Sequence, residues 1–230
     1  RKESSAASDV YKRQVIEKDD SFSEYLLKFL DPENIHFQDA LKFNWPQFIA
    51  DNHLTNKKIW LVSNLPYNVG TVLFTQFLQI PEIEYMTLMF QKEVGDKTYF
   101  KQSSPKSPYQ MNGLFVLSNN YFESKQLLKV APGAFVPPPK VDSVVVSYQR
   151  RPGPDISITD YSKLNKFTRG LFSMRRKQLG KVLKGMISPF KPELLLAHCN
   201  IEKTRRAETL LYTEVIKLYH NLHDDPDKFR

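Results

Sequence analysis

The chain has 230 residues, with 33 Lys and Arg against 25 Asp and Glu, and 41% of its residues are hydrophobic. This length fits one α/β domain with a small appended domain, and the 16 Phe and 11 Tyr need a core, which excludes a mainly disordered protein. A single cysteine excludes an internal disulfide and a cysteine-based zinc site, and the spacing of the histidines fits no metal site. Because no long apolar run or signal-peptide core is visible, we expect a cytoplasmic protein without a metal or a membrane anchor.

From residue 15 onward, short apolar segments alternate with amphipathic ones. The pattern predicts strands at 15–16, 35–38, 59–63 and 85–90, and helices at 21–30 and 72–78. This order of strands and helices is typical of a parallel sheet with crossover helices, so the predicted fold class is α/β. Residues 1–14 are polar and lack an apolar period, and we expect a frayed, foreign-looking tail there.

The pattern changes after residue 112. A helix at 114–120 and strands at 126–130 and 143–148 are predicted, the two strands adding an antiparallel edge to the sheet. Between those strands, three successive prolines make a stiff loop that can hold Phe135 in place. A linker at 151–154 and helical sequence beyond residue 160 predict an α/β domain at 15–155 and a helical domain at 156–230.

Positive charge is concentrated in one segment, residues 161–191. This basic segment has no acidic residue, and solvated helix faces normally mix both signs of charge, so a polyanion partner such as nucleic acid is favoured. The alternative is a solvated helix face. The basic residues are Lys163, Lys166, Arg169, Arg175, Arg176, Lys177, Lys181, Lys184 and Lys191.

Polar side chains stand at the ends of three predicted strands. Glu17, Asp39 and Asn64 each end or directly follow an apolar segment. Because ligands of open α/β sheets bind beyond the carboxyl ends of the strands, we expect these three residues around one crevice. For Glu17 and Asp39 the alternative is a role as helix N-caps.

The string from Ser63 to Asn68 suits methylation of an exocyclic amine. The side-chain oxygen of Asn64 and the carbonyl of Leu65 can accept hydrogen bonds from the amine, so that its nitrogen can pyramidalise toward a methyl donor. Pro66 fixes the backbone, and Tyr67 can stack on the base. No strong general base is needed, so the rate must come from positioning. The alternative is an ordinary strand-to-turn connection.

These features resemble the ribosomal RNA adenine dimethyltransferase family. The resemblance rests on VIEKD at 15–19, QDA at 38–40, NLPYN at 64–68 and AFVPPPKVDS at 134–143, with weaker support from 90–94 and 172–177. It implies a Rossmann-like S-adenosylmethionine methyltransferase sheet with a small C-terminal all-helical domain. The implied activity is N6-dimethylation of two adjacent adenosines in the 3′-terminal hairpin of small-subunit rRNA. The implied partner is the immature 30S subunit during ribosome biogenesis. The protein is expected to act as a monomer.

The resemblance also implies roles for individual residues. Glu17 would bind the ribose hydroxyls of S-adenosylmethionine and Asp39 its adenine amino group, and Tyr67 and Phe135 would sandwich the flipped target adenine. Phe135 has the alternative of a core residue. The implied cofactor-binding set is Glu17, Lys18, Asp39, Ala40 and Asn64, and the implied catalytic set is Asn64, Leu65, Pro66, Tyr67 and Phe135. The implied RNA-binding residues are Lys92, Lys140, Arg169, Arg175, Arg176, Lys177, Lys181 and Lys184.

The glycine pattern departs from the family. The chain has eight glycines, and the first is Gly70. The family has a first strand and a Gly-rich loop before the strand that ends at Glu17, which residues 1–14 do not resemble, so we expect an N-terminally truncated member. Two alternatives therefore stay open for its function. They are an RNA-binding ribosome assembly factor without catalysis and a large-subunit rRNA adenine methylase that confers macrolide resistance.

Overall fold

A computed structural model describes residues 13–99, 110–186 and 191–224, so most of the tail predicted at 1–14 lies outside the described residues. Contacts between Cα atoms divide the chain into two units between Thr55 and Asn56. The domain boundary predicted near residue 155 stays a prediction.

Strands and helices are numbered in chain order. The strands are β1 (Val15–Glu17), β2 (Ile35–Phe37), β3 (Ile59–Asn64), β4 (Ile83–Gln91), β5 (Phe122–Val130) and β6 (Ser143–Arg150). The helices are α1 (Ser23–Leu26), α2 (Trp45–Asp51), α3 (Gly70–Phe77), α4 (Lys92–Gly95), α5 (Gly113–Tyr121), α6 (Tyr161–Leu171), α7 (Leu179–Met186), α8 (Pro192–His198) and α9 (Tyr212–His223).

The first unit is built on a two-stranded parallel sheet of β1 and β2. Glu17 lies opposite Phe37, and the amide of Gln38 donates to the carbonyl of Glu17 at 2.9 Å, which extends the pairing past β2. Helix α2 was missed in the sequence; Asn44 caps it by accepting from the Gln47 amide at 3.2 Å.

The helix predicted at 21–30 is wrong in length. A 3₁₀ turn at Asp20–Phe22 leads into the single turn of α1. Most apolar side chains of this region stay on the surface, with Tyr25 and Phe29 exposed by 59% and 63%, and none is fully buried. A helix in a protein gains most of its stability from burying an apolar face, which this segment does not do.

The second unit contains a four-stranded sheet in the order β3-β4-β6-β5. β3 and β4 are parallel, whereas β6 runs antiparallel to both β4 and β5. The antiparallel edge predicted from the sequence is confirmed. Helix α3 covers this sheet through Phe74, whose ring lies 5.6 Å from that of Phe90 and 5.1 Å from that of Tyr148.

The C-terminal helices pack on the same unit. The Tyr161 hydroxyl on α6 donates to the carbonyl of Thr75 on α3 at 3.1 Å. The buried side chain of Asn120 exchanges two hydrogen bonds with the backbone of Ile156, at 2.8 and 3.0 Å. Among the described residues, no helix is long and apolar enough to cross a membrane.

Arg150 ties the end of β6 to the connection between α3 and β4. Its guanidinium donates to the carbonyls of Ile83 at 2.7 Å and Ile80 at 2.6 Å and lies 4.4 Å from the centre of the Phe122 ring. A buried carbonyl left without a donor costs about 1–3 kcal/mol, and Arg150 supplies donors to both of these carbonyls.

Candidate active site

The carboxyl end of β3 presents one polar side chain above a buried anchor. Asn64 is the last residue of β3 and is exposed. The next residue, Leu65, has a 2% exposed side chain, and its amide donates to the carbonyl of Met89 at 3.2 Å. The carbonyl of Pro66 accepts from the amide of Gly70 at 2.8 Å, which turns the chain into α3. The burial of Leu65 therefore fixes the backbone that carries Asn64.

Tyr67 extends from this turn toward the start of β6. Its side chain is 38% exposed, and its hydroxyl lies 2.9 Å from the hydroxyl of Ser143. Ser143 is fully buried and is the first residue of β6. The structure thus brings two of the predicted strings, 64–68 and 134–143, to one edge of the sheet. Ser143 closes the second string, and its contact with Tyr67 was not predicted from the sequence.

The loop before β6 holds Phe135 outside the core. A 3₁₀ turn at Pro132–Ala134 precedes Phe135, whose amide donates to the carbonyl of Pro132 at 3.1 Å. Phe135 is half-buried and Lys140 is exposed. The amide of Lys92 donates to the carbonyl of Asp142 at 2.9 Å, which fixes the end of the loop to the start of α4. Contact of Phe135 with a base stays a prediction.

In the first unit, Glu17 is not a helix N-cap. Its Oε1 accepts from the amides of Lys18 at 2.7 Å and Asp19 at 2.9 Å, while Asp19 caps the following 3₁₀ turn through Ser21. Within the described part of the chain, no donor contacts Oε2 of Glu17. This oxygen keeps its capacity to accept hydrogen bonds from a ligand with hydroxyl groups.

Asp39 caps a helix, which confirms the alternative role expected for this residue. Its Oδ1 accepts from the Leu41 amide at 3.0 Å at the start of the 3₁₀ helix Ala40–Lys42, and its Oδ2 accepts from Lys18 Nζ at 3.0 Å. The hydrogen bond from Leu41 and then that from Lys18 hold the pKa of Asp39 below its ordinary value. The first unit therefore brings together Glu17, Lys18, Asp39 and Ala40.

The predicted RNA-binding residues fall into two groups. Lys92 is paired with Asp96 at 2.9 Å, and that hydrogen bond raises the pKa of Lys92. The others are exposed, on the loop before β6, on the last turn of α6, on the loop that follows it, and on α7. They are Lys140, Arg169, Arg175, Arg176, Lys177, Lys181 and Lys184.

The basic segment lies within electrostatic reach of α4. The pKa of Glu93 is held below its ordinary value by the hydrogen bond and charge of Lys97 and, more weakly, by the charge of Arg175. Since α4 directly follows the carboxyl end of β4, positive charge stands near the edge where β3 and β4 end.

A basic cavity of about 380 Å³ opens beside the start of α7. Its lining has four positively charged side chains and no negative one: Arg176, Lys177, Gln178, Lys181, Thr204 and Arg206. Arg206 was missed in the sequence, because it lies beyond the basic segment and reaches the cavity through a backbone bridge to Gln178. Across the described ranges, no group of three or more His, Cys, Asp or Glu could hold a metal ion.

Comparison with known proteins gives one consistent family. The model of the ribosomal RNA adenine dimethylase family matches residues 7–224. Ribosomal RNA small subunit methyltransferase A of Syntrophotalea carbinolica is 34% identical over 186 residues, which cover 80% of this chain and 67% of that protein. Its counterpart in Bradyrhizobium is 39% identical over 162 residues, which cover 69% of this chain and 54% of that protein. The chain thus spans between about half and two thirds of these relatives' lengths.

Two solved structures share the fold. A dimethyladenosine transferase from Plasmodium falciparum matches with a TM-score of 0.66 and 21% identity, over 93% of this chain and 81% of that one. The 23S rRNA methyltransferase ErmE matches with a TM-score of 0.63 and 20% identity, over 90% of this chain and 80% of that one. The α/β class and the Rossmann-like methyltransferase fold predicted from the sequence are confirmed.

The pKa of Asp39 depends on two hydrogen-bond donors of unequal effect, the Leu41 amide and the Lys18 side chain. Lys18→Met should raise the pKa of Asp39 but leave it below the ordinary value, because the largest single effect, the hydrogen bond from the Leu41 amide, is retained. Since the folded pKa is depressed, these bonds add stability above the ordinary pKa, and that stability is lost as the pH falls through the folded value.

Carboxyl carbon shifts followed by NMR through an acid titration measure this pKa. Lys42→Met is the matched control and should move the pKa of Asp39 less, because Lys42 acts only through its charge. An unchanged pKa in Lys18→Met, or one restored fully to the ordinary value, would contradict the assignment.

Proposed function

The chain belongs to the ribosomal RNA adenine dimethylase family, and on that premise we propose that it dimethylates N6 of two adjacent adenosines in the 3′-terminal hairpin of small-subunit rRNA. The observation that supports the proposal lies at the end of β3, where exposed Asn64 is the last residue of the strand and the Tyr67 hydroxyl lies 2.9 Å from that of Ser143. The curated relatives named for the small ribosomal subunit support this substrate over the large-subunit alternative.

Hydrogen-bond acceptors at the end of β3 make the target amine reactive. The lone pair of N6 is delocalised into the purine ring and attacks poorly while the amine is planar. In the proposed mechanism the side-chain oxygen of Asn64 and the carbonyl of Leu65 accept hydrogen bonds from the two N–H groups and favour a pyramidal nitrogen. After the first methyl transfer the cationic nitrogen releases one proton to water, and in the second methylation one of the two oxygens accepts from the N–H that is left. The nitrogen becomes acidic only after methyl transfer, so the site needs no strong base and works by alignment.

Aromatic rings hold the base in this position. A base inside a stacked helix cannot present N6 to Asn64, so the adenosine is flipped out of its stack, which costs a few kcal/mol. Stacking on an aromatic side chain returns about 1–3 kcal/mol per base. Tyr67 is exposed enough to stack on the base, and Phe135 lies in the loop that precedes Ser143.

The first unit offers a fitting set of groups for the adenosine part of S-adenosylmethionine. Oε2 of Glu17 is open to the ribose hydroxyls, and Asp39 keeps a second lone pair on each oxygen for the adenine amino group. Ala40 and Lys18 complete the proposed set. When bound, this cofactor supplies an electrophilic methyl group on a sulfonium.

The basic segment is proposed to bind the rRNA backbone. Its exposed cations face a polyanion whose phosphates give affinity without reading sequence. We propose that the protein acts as a monomer on the immature 30S subunit in the cytoplasm. The non-catalytic alternative shares this binding but predicts no methyl transfer.

Asn64→Ala should abolish the reaction. Loss of one positioned hydrogen-bond partner in an active site costs roughly 10²–10³ in rate. The measurement is transfer of a labelled methyl group from S-adenosylmethionine to purified small subunits, with large subunits as the competing substrate.

Thr71→Ala, at an exposed position on the first turn of α3, is the matched control and should keep the wild-type rate. Equal rates in Asn64→Ala and the control would remove Asn64 from the mechanism. Transfer by the wild-type chain to large subunits alone would favour the macrolide-resistance class, and transfer to neither subunit would favour the non-catalytic factor.

Removal of one cavity cation should weaken RNA binding through salt-dependent contacts. Lys177→Gln should reduce the slope of log K against log salt by about 1 and weaken binding to all RNA sequences alike. Fluorescence anisotropy with a labelled RNA hairpin at several salt concentrations measures both quantities.

Lys163→Gln is the control within the same segment, because Lys163 is paired with Asp160 at 2.7 Å and should change the slope little. A slope that is the same in Lys177→Gln and wild type would show that Lys177 binds no phosphate.

A further inference from the structure

Ser143 offers a rigid hydroxyl at the candidate site. Its backbone lies inside the sheet, opposite Gln91 on β4 and opposite Val130 on β5. Its side chain is fully buried, and among the described residues its hydroxyl bonds only to that of Tyr67, at 2.9 Å. Because the backbone of Ser143 is paired with a strand on each side, its hydroxyl can move only through a change of side-chain rotamer.

Tyr67 is held much less firmly by its own surroundings. It follows Pro66 in a turn, and 38% of its side chain is exposed. The bond to Ser143 grips the ring at its hydroxyl end, opposite the attachment to the backbone. A ring fixed at both ends cannot swing, and 38% of Tyr67 stays exposed to solvent.

We infer that Ser143 is a positioning residue that sets the orientation of the Tyr67 ring for stacking on the target adenine. This inference rests on the proposed function and adds a residue from a distant strand to the site. Ser143 touches no reacting atom; it acts through Tyr67. Since one neutral hydrogen bond is at stake, its loss should cost about three- to tenfold in the measured rate.

Three variants distinguish a positioning role of Ser143 from a purely structural one. Ser143→Ala removes the partner, Tyr67→Phe keeps the ring but removes its hydroxyl, and the third variant combines both. If Ser143 acts through the Tyr67 hydroxyl, each single change lowers kcat about three- to tenfold, and the double variant is no slower than either single one. The KM for RNA should stay unchanged, because the backbone contacts of the basic segment are intact.

Ser147→Ala is the matched control on the same strand. Its hydroxyl donates to the carbonyl of Lys125 at 3.3 Å, outside the site, so its loss should leave kcat at the wild-type value. Thermal unfolding of every variant is followed beside the kinetics. Ser143→Ala and Tyr67→Phe should lose kcat beyond any change that a shift in Tm explains at the assay temperature.

A second readout follows the base itself. The hairpin carries 8-vinyladenosine, a fluorescent analogue that keeps the N6 amine, at one of the two adjacent adenosines, and stacking on Tyr67 should quench its fluorescence. We expect quenching by the wild-type chain and by Ser147→Ala, and quenching that is several-fold weaker in Ser143→Ala and Tyr67→Phe.

The outcomes distinguish a failure of the proposed function from a failure of the role of Ser143. A wild-type chain that neither methylates nor quenches overturns the proposed function, and this inference with it. A wild-type chain that does both, with Ser143→Ala matching Ser147→Ala, overturns the role of Ser143 alone. Multiplied losses in the double variant likewise show that Ser143 does not act through Tyr67.

Discussion

The direction of β6 is the constraint on which the candidate site depends. β3 and β4 run parallel, with Asn64 opposite Met89, whereas β6 runs the other way, with Ser143 opposite Gln91. The strand β6 therefore begins at the edge where β3 ends, about 10 Å away across two strand spacings. If β6 ran parallel, Ser143 and the proline loop would stand at the far end of an eight-residue strand, more than about 20 Å away. The bond between Tyr67 and Ser143 would then be impossible.

The second unit contains cations that form ion pairs and cations that form none among the described residues. Two lysines at and after α4 are paired locally, Lys92 with Asp96 and Lys97 with Glu93. In the residues that the structure describes, no ion pair involves Arg176, Lys177 or Lys181. These three cations are therefore available to a polyanion, which distinguishes this part of the basic segment from an ordinary solvated helix face.

Local pattern was enough to predict the strands and their polar ends, because alternating burial and a terminal polar residue are written in a few neighbouring residues. Glu17 and Asn64 end β1 and β3, and Asp39 follows β2 within two residues. The helix predicted at 21–30 failed because periodicity cannot show whether an apolar face finds a partner. The Tyr67–Ser143 bond joins residues 76 positions apart, and only the order and direction of the strands bring them together. Arg206 was missed for the same reason, since its cavity exists only after the chain has folded back to Gln178.

In the proposed mechanism, the end of β3 and the start of β6 form one binding site for an adenine. Isotope-edited NOE spectra of the chain bound to an RNA hairpin with two adjacent adenosines test it most directly. The account predicts NOEs from H2 or H8 of one of these adenines to the ring protons of Tyr67. Adenine protons that show NOEs only to side chains of the basic segment, and none to Tyr67, would contradict it.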